Sequence, residues 1–129
     1  MPYVYPEVDR LDNTDKVGSH QCVALVQHYA KLPPTSFWRE GAVVVDAATL
    51  SKGTAIATFV DGRYGSLPSG NHAAFFVAHG TGGIWVMDQW ANDQTKPKVS
   101  KRFLRRKGQT KSGAFVDPSN NADAYAVIE

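Results

Sequence analysis

The hydrophobic positions change their period once along the chain. In GSHQCVALVQHYAKLPP, residues 18–34, apolar side chains recur at helical spacing: Val23, Val26 and Ala30, with Leu25 and Tyr29 beside them. This predicts a short helix beginning at His20, with Ser19 as its N-cap. Pro33 and Pro34 stop it, because proline has no amide hydrogen and clashes with the preceding turn. From Gly53 onward the pattern is that of strands. GTAIATFV is rich in β-branched residues, and NHAAFFVAH, IWVMDQW, VSKRFLRR and AYAVIE follow it. DGRYGSLPSG supplies a loop of turn residues, and GTGG a hairpin turn. FWREGAVVVDAATLSKG is a second short helical or irregular piece, whose VVV run fits strand and turn equally. Residues 1–18 show prolines, aspartates and no clean period, and read as an extended arm and loop. A helix followed by an antiparallel sheet is an α+β layout, expected as a single domain over residues 1–129.

Composition narrows the chemistry. A chain of 129 residues buries a core without covalent staples. The one cysteine excludes an internal disulfide and any multi-cysteine zinc site, so no cofactor or metal is expected. The N-terminus MPYVYPEVDR lacks the basic and apolar regions of a Sec signal peptide. No apolar run approaches a membrane span, so membrane insertion is not expected. The net charge of +2 conceals an asymmetry: residues 96–111 carry eight Lys or Arg and no acid. That segment suits an edge strand whose lysines discourage edge-to-edge pairing. It equally suits docking on an anionic polymer or an acidic protein. A nucleic-acid role is disfavoured, because no recognisable nucleic-acid module surrounds the segment and the rest of the chain is acidic.

The candidate chemistry centres on Cys22, in the first turn of the predicted helix. A thiol is a useful nucleophile only as thiolate. The free amides and partial positive charge of a helix N-terminus favour that anion and can serve an oxyanion hole. The bland alternative is a buried cysteine acting as a small hydrophobe. A thiolate also needs a base. His20 points to another face of the helix, His28 is too far along it, and His79 sits at a hairpin end. His72 opens an apolar strand and can face a helix packed on the sheet. A third group should orient the imidazole, and VMDQW offers Asp88 and Gln89. Strand alternation lets only one of them share a face with His72. Asp88 is preferred because a carboxylate also stabilises the imidazolium, while Gln89 stays open.

Gln-Cys opening a helix, then GNHAAFFVA, a glycine-rich turn and IWVMDQW together resemble the CHAP and NlpC-type cysteine peptidases, papain-like amidases of bacterial cell walls. WREG, GTAIATF, GNHAAFF and NADAYAVI are similar to proteins grouped with the amidase effectors of bacterial type VI secretion. The resemblance implies a papain-like core with the cysteine helix packed on an antiparallel sheet. It implies Cys22 as nucleophile, His72 as base and Asp88 as orienting residue of a hydrolase that cuts peptidoglycan peptides. On that reading Arg63 and Tyr64 are candidate contacts at the rim, Gln21 and Gln89 candidate substrate contacts, and Trp90 and Trp38 a candidate aromatic wall, against the plainer alternative for Arg63, Tyr64 and the tryptophans of a structural role, since tryptophan normally packs a core. It further implies an interbacterial toxin, made in the cytoplasm and exported to a target-cell periplasm, with a cognate immunity protein. A catalytically inactive relative that binds wall or partner through the same groove, and a transferase, are the competing expectations.

Overall fold

The computed structural model describes residues 1–65 and 69–129; positions 66–68 of the DGRYGSLPSG loop lie outside the described residues. One α-helix, α1 (Cys22–Ala30), packs on a sheet of β1 (Glu40–Val43), β2 (Ala55–Thr58), β3 (Ala73–Gly80), β4 (Gly83–Asp88), β5 (Ser100–Arg105) and β6 (Tyr125–Ile128). The order across the sheet is β1-β6-β2-β3-β4-β5, and every neighbouring pair is antiparallel.

The central strands are apolar without alternation because both faces of the sheet are covered. On one face Ala55, Ala57, Ala73, Phe75, Val77 and Met87 meet Leu25 and Val26 of α1. On the other, Ile56, Ala74, Phe76, Ile84, Val86 and Leu104 are covered by Val44, Ala122 and Ala124. Odd and even positions of β3 and β4 therefore face different cores, which later separates Asp88 from Gln89.

Two turns need glycine. In the β3–β4 hairpin, Gly82 has φ +77°, and a Cβ on Gly83 would meet the Leu104 carbonyl oxygen at 2.0 Å. After β2, Asp61 and Gly62 both have positive φ, the requirement of a type I′ turn, and Val60 and Arg63 exchange two backbone hydrogen bonds across it.

The helix starts at Cys22, not His20, and its N-cap is Gln21, not Ser19; His20 has φ +70°, outside the helical region. The Ser19 hydroxyl instead accepts from the Gln21 amide. The helix also ends before its prolines: Lys31 adopts the left-handed conformation and caps onto the Gln27 carbonyl. Finally, FWREGAVVVDAATLSKG contributes β1, an edge strand with a bulge, followed by a 3-10 turn at Val44–Asp46. The basic segment does form an edge strand, β5.

Candidate active site

Cys22 is the first residue of α1, so its amide is one of the four that a helix leaves without an intrahelical partner. The approach to it is held by Gln89, which follows β4 and is fully buried. The Gln89 carboxamide donates to the carbonyls of Val17 (3.1 Å) and Gln21 (2.8 Å) and accepts from the Val17 amide (3.0 Å). All its capacity on that side is spent on the loop that presents Cys22. Gln89 lies on the helix face of the sheet and has no surface for substrate.

His72 immediately precedes β3 and is 5% exposed. Its amide donates to Thr58 Oγ1 at 3.0 Å, and its carbonyl accepts from the Thr58 amide. On the ring, Nε2 is 2.8 Å from Asp88 Oδ2. An ionised carboxylate only accepts, so Nε2 carries the proton and Nδ1 remains for the thiol.

Asp88 ends β4 and is fully buried. Its Oδ2 also accepts from Arg102 Nε (2.7 Å), and its Oδ1 from Lys96 Nζ (2.8 Å). Three donors thus share one carboxylate. Lys96 donates further to the Ser100 carbonyl and hydroxyl, and Arg102 to Asn120 and the Ser119 carbonyl. The Trp90 ring lies under both cations, each 4.8 Å from its centroid, and its indole N–H donates to Asp93. Trp90 therefore packs edge-on against the His72 ring and supports the charged cluster.

Tyr64 reaches the thiol itself: its hydroxyl is 3.6 Å from Cys22 Sγ. Arg63 beside it is exposed, as is Gln21, which makes no side-chain cap. A cavity of about 190 Å³ lined by Thr35, Ser36, Trp38, Arg63 and Tyr64 opens at this point. Among the described residues, no group of three or more His, Cys, Asp or Glu is placed to hold a metal ion. No described helix is long and apolar enough to cross a membrane.

The protonation states follow from these contacts. Burial pushes the Cys22 thiol up, but hydrogen bonding to and attraction by His72, with hydrogen bonds from Tyr64 and the Ala73 amide, outweigh it and hold it below its usual value. Burial pulls His72 down, yet hydrogen bonds to Asp88 and Cys22 and their negative charges raise it to about 9. Burial works against the Asp88 carboxylate, but His72, Arg102 and Lys96 hold it far below the carboxylate range. Burial and the neighbouring Cys22 anion raise the Tyr64 phenol well beyond its ordinary value, so it stays protonated and donates. The arrangement favours a thiolate–imidazolium pair at a helix N-terminus.

The model of the family described as domesticated amidase effector 2 matches residues 10–128. This chain belongs to that family. It is 52% identical to the type VI secretion amidase effector 2 protein of Salmonella typhi, over the whole of both chains. It is 35% identical to domesticated amidase effector 2 of Ixodes scapularis, over 88% of this chain and 73% of that one. Among solved structures it matches a type 6 secretion amidase effector 2 with a TM-score of 0.92 and 50% identity, covering 98% of this chain and 94% of the other. The fold is papain-like, and the chain is an amidase, a hydrolase of amide bonds, of the secreted-effector family.

Within the site, sequence reasoning missed Lys96 and Arg102. No sequence signal pointed to them: it is the β4–β5 register, in which Asp88 faces Ser100 and Val86 faces Arg102, that leaves Arg102 diagonal to Asp88 on the same face.

Proposed function

We propose that this amidase hydrolyses peptide bonds of peptidoglycan in the envelope of a rival cell, with Cys22 as nucleophile, His72 as acid and base, and Asp88 as the orienting group. The observation that most supports this reading is the 2.8 Å contact between His72 Nε2 and Asp88 Oδ2 beside a thiol held below its usual pKa. The Cys22 thiolate attacks the amide carbonyl, and the carbonyl π electrons move onto oxygen. The free amides at the start of α1 hold that oxyanion. His72 then gives its Nδ1 proton to the leaving nitrogen as the C–N bond breaks, leaving a thioester on Cys22. Neutral His72 takes a proton from water, the hydroxide adds to the thioester, and the C–S bond breaks to release the carboxylic acid. Asp88 keeps Nε2 protonated throughout and balances the imidazolium charge.

This reading implies delivery into the target-cell periplasm by the type VI route and a cognate immunity protein in the producing cell. The test is a mass-spectrometric profile of purified peptidoglycan fragments after incubation with wild type and with Cys22→Ala. New peptide ends with wild type alone would support the reading and identify the bond. Unchanged fragments in both would turn the assignment toward an inactive binding module.

A further inference from the structure

Two arginines that line one cavity beside Trp38 have side chains with no protein partner among the described residues. Arg10, Arg102 and Arg106 are ion-paired with Glu7, Asp88 and Asp123. Arg39 and Arg63 make neither an ion pair nor a side-chain hydrogen bond among the described residues, although both line one cavity of about 290 Å³. Its other walls are Ser36, Phe37, Trp38 and Gly62, none of them charged. Asp61, the acid in the adjoining turn, lines a different cavity with Phe59 and Phe115.

Both arginine backbones are fixed. Arg63 closes the type I′ turn through paired bonds with Val60, and Arg39 exchanges two bonds with Glu129 at the end of β6. Their guanidinium groups therefore emerge from rigid positions, which lowers the ordering cost of binding. The route to the thiol is short. Trp38 lines the cavity and meets the Tyr64 ring at a 55° tilt, 4.9 Å between ring centroids, and the Tyr64 hydroxyl is 3.6 Å from Sγ. An extended chain advances about 3.3–3.6 Å per residue, so a peptide held at Cys22 reaches the cavity within about three residues.

We propose that Arg39 and Arg63 together bind a free carboxylate of the substrate peptide, and that Phe37 (67% exposed) packs against the aliphatic part of the same residue. Guanidinium groups match a carboxylate geometrically and stay charged at all working pH values. This rests on the amidase reading above and adds its specificity: peptides bearing a carboxylate near the scissile amide are preferred over the same peptides with that group amidated.

The experiment compares steady-state kinetics on muropeptides purified from peptidoglycan with the same muropeptides after carbodiimide conversion of their carboxylates to methylamides. Wild type, Arg39→Gln, Arg63→Gln and the double variant are measured, each first shown to share the wild-type unfolding midpoint. Wild type should show a KM rise on the order of tenfold upon amidation with little change in kcat. The double variant should lose this discrimination and show a raised KM on the native fragments. Discrimination retained in the double variant, or absent in wild type that still turns over both substrates, would overturn the subsite and leave the amidase reading intact. Failure of wild type to cut either substrate would overturn both.

Discussion

The Lys96 ammonium lies 2.8 Å from Asp88 Oδ1, and the two side chains are 7% and 0% exposed. A buried lysine is uncommon, and a buried ion pair is a weak stabiliser against an apolar pair, but removing one partner is costly. Lys96→Met should therefore destabilise the fold by about 1–3 kcal/mol, the cost of leaving a buried acceptor short of a donor while Arg102 and His72 remain. Denaturant midpoints at unchanged m-value would measure it. A midpoint equal to wild type would mean Lys96 contributes nothing to the cluster. The same change removes a cation from beside His72, so the imidazolium titration should move above about 9 in NMR.

Asp88→Asn tests the carboxylate from the other side. The folded-state pKa of Asp88 is depressed, so its stabilisation is present above the ordinary carboxylate range and is lost as pH falls through the folded value. The substitution would leave Lys96 and Arg102 without their anion. The variant should be less stable than wild type at pH 7, and the difference should narrow as the pH falls below about 4. A deficit that stays constant down to pH 2 would contradict this. Turnover should drop by on the order of 10³–10⁴, because the imidazole loses the group that fixes its tautomer and charge.

How much of this was legible in the sequence depended on how local each signal was. β3 and β4 announced themselves through apolar runs joined by GTGG, and the alternation argument separated Asp88 from Gln89, which face opposite sides of the sheet. β1 was not legible: it lies at a sheet edge with mostly exposed side chains, so burial left no periodic mark on it. The Ser19 cap failed because the chain reaches the helix through a left-handed residue at His20, a choice dictated by the tertiary clamp of Gln89. Lys96 and Arg102 read only as members of a basic edge or docking segment, because Asp88 is brought to them by the β4–β5 register and the loop before β5, across a connection too long to predict. Tyr64 was placed at the rim, and only the packing of its loop on Trp38 carries its hydroxyl to the thiol.

Gln89 acts on Cys22 through backbone alone. Gln89→Leu keeps the volume but leaves the Val17 amide without its acceptor, while the carbonyls of Val17 and Gln21 each lose one donor and keep the amides of His20 and Ala24. The unmet, partly buried Val17 amide and the two lost bonds together cost about 1–3 kcal/mol. The expected result is a lowered unfolding midpoint, together with slower alkylation of Cys22 by iodoacetamide under conditions where the variant remains folded. Wild-type stability and wild-type labelling would show that the loop holds itself.

The pH profile of catalysis tests the ion pair directly. Reaction through thiolate and imidazolium requires Cys22 deprotonated and His72 protonated. The thiol is held below its usual value and His72 is raised to about 9, so kcat/KM should rise through an acid limb and fall through an alkaline limb near 9. Both limbs belong to the coupled pair and not to either residue. Asp88→Asn removes the anion that raises His72, so its residual activity should lose the alkaline limb at a lower pH than wild type. Tyr64→Phe removes the phenol that donates to Sγ, which raises the thiol pKa. This variant should therefore shift the acid limb upward and leave the alkaline limb nearly in place. Iodoacetamide rates across the same pH range report the thiolate without substrate, and a Tyr64→Phe curve that superimposes on wild type would remove the phenol from the mechanism.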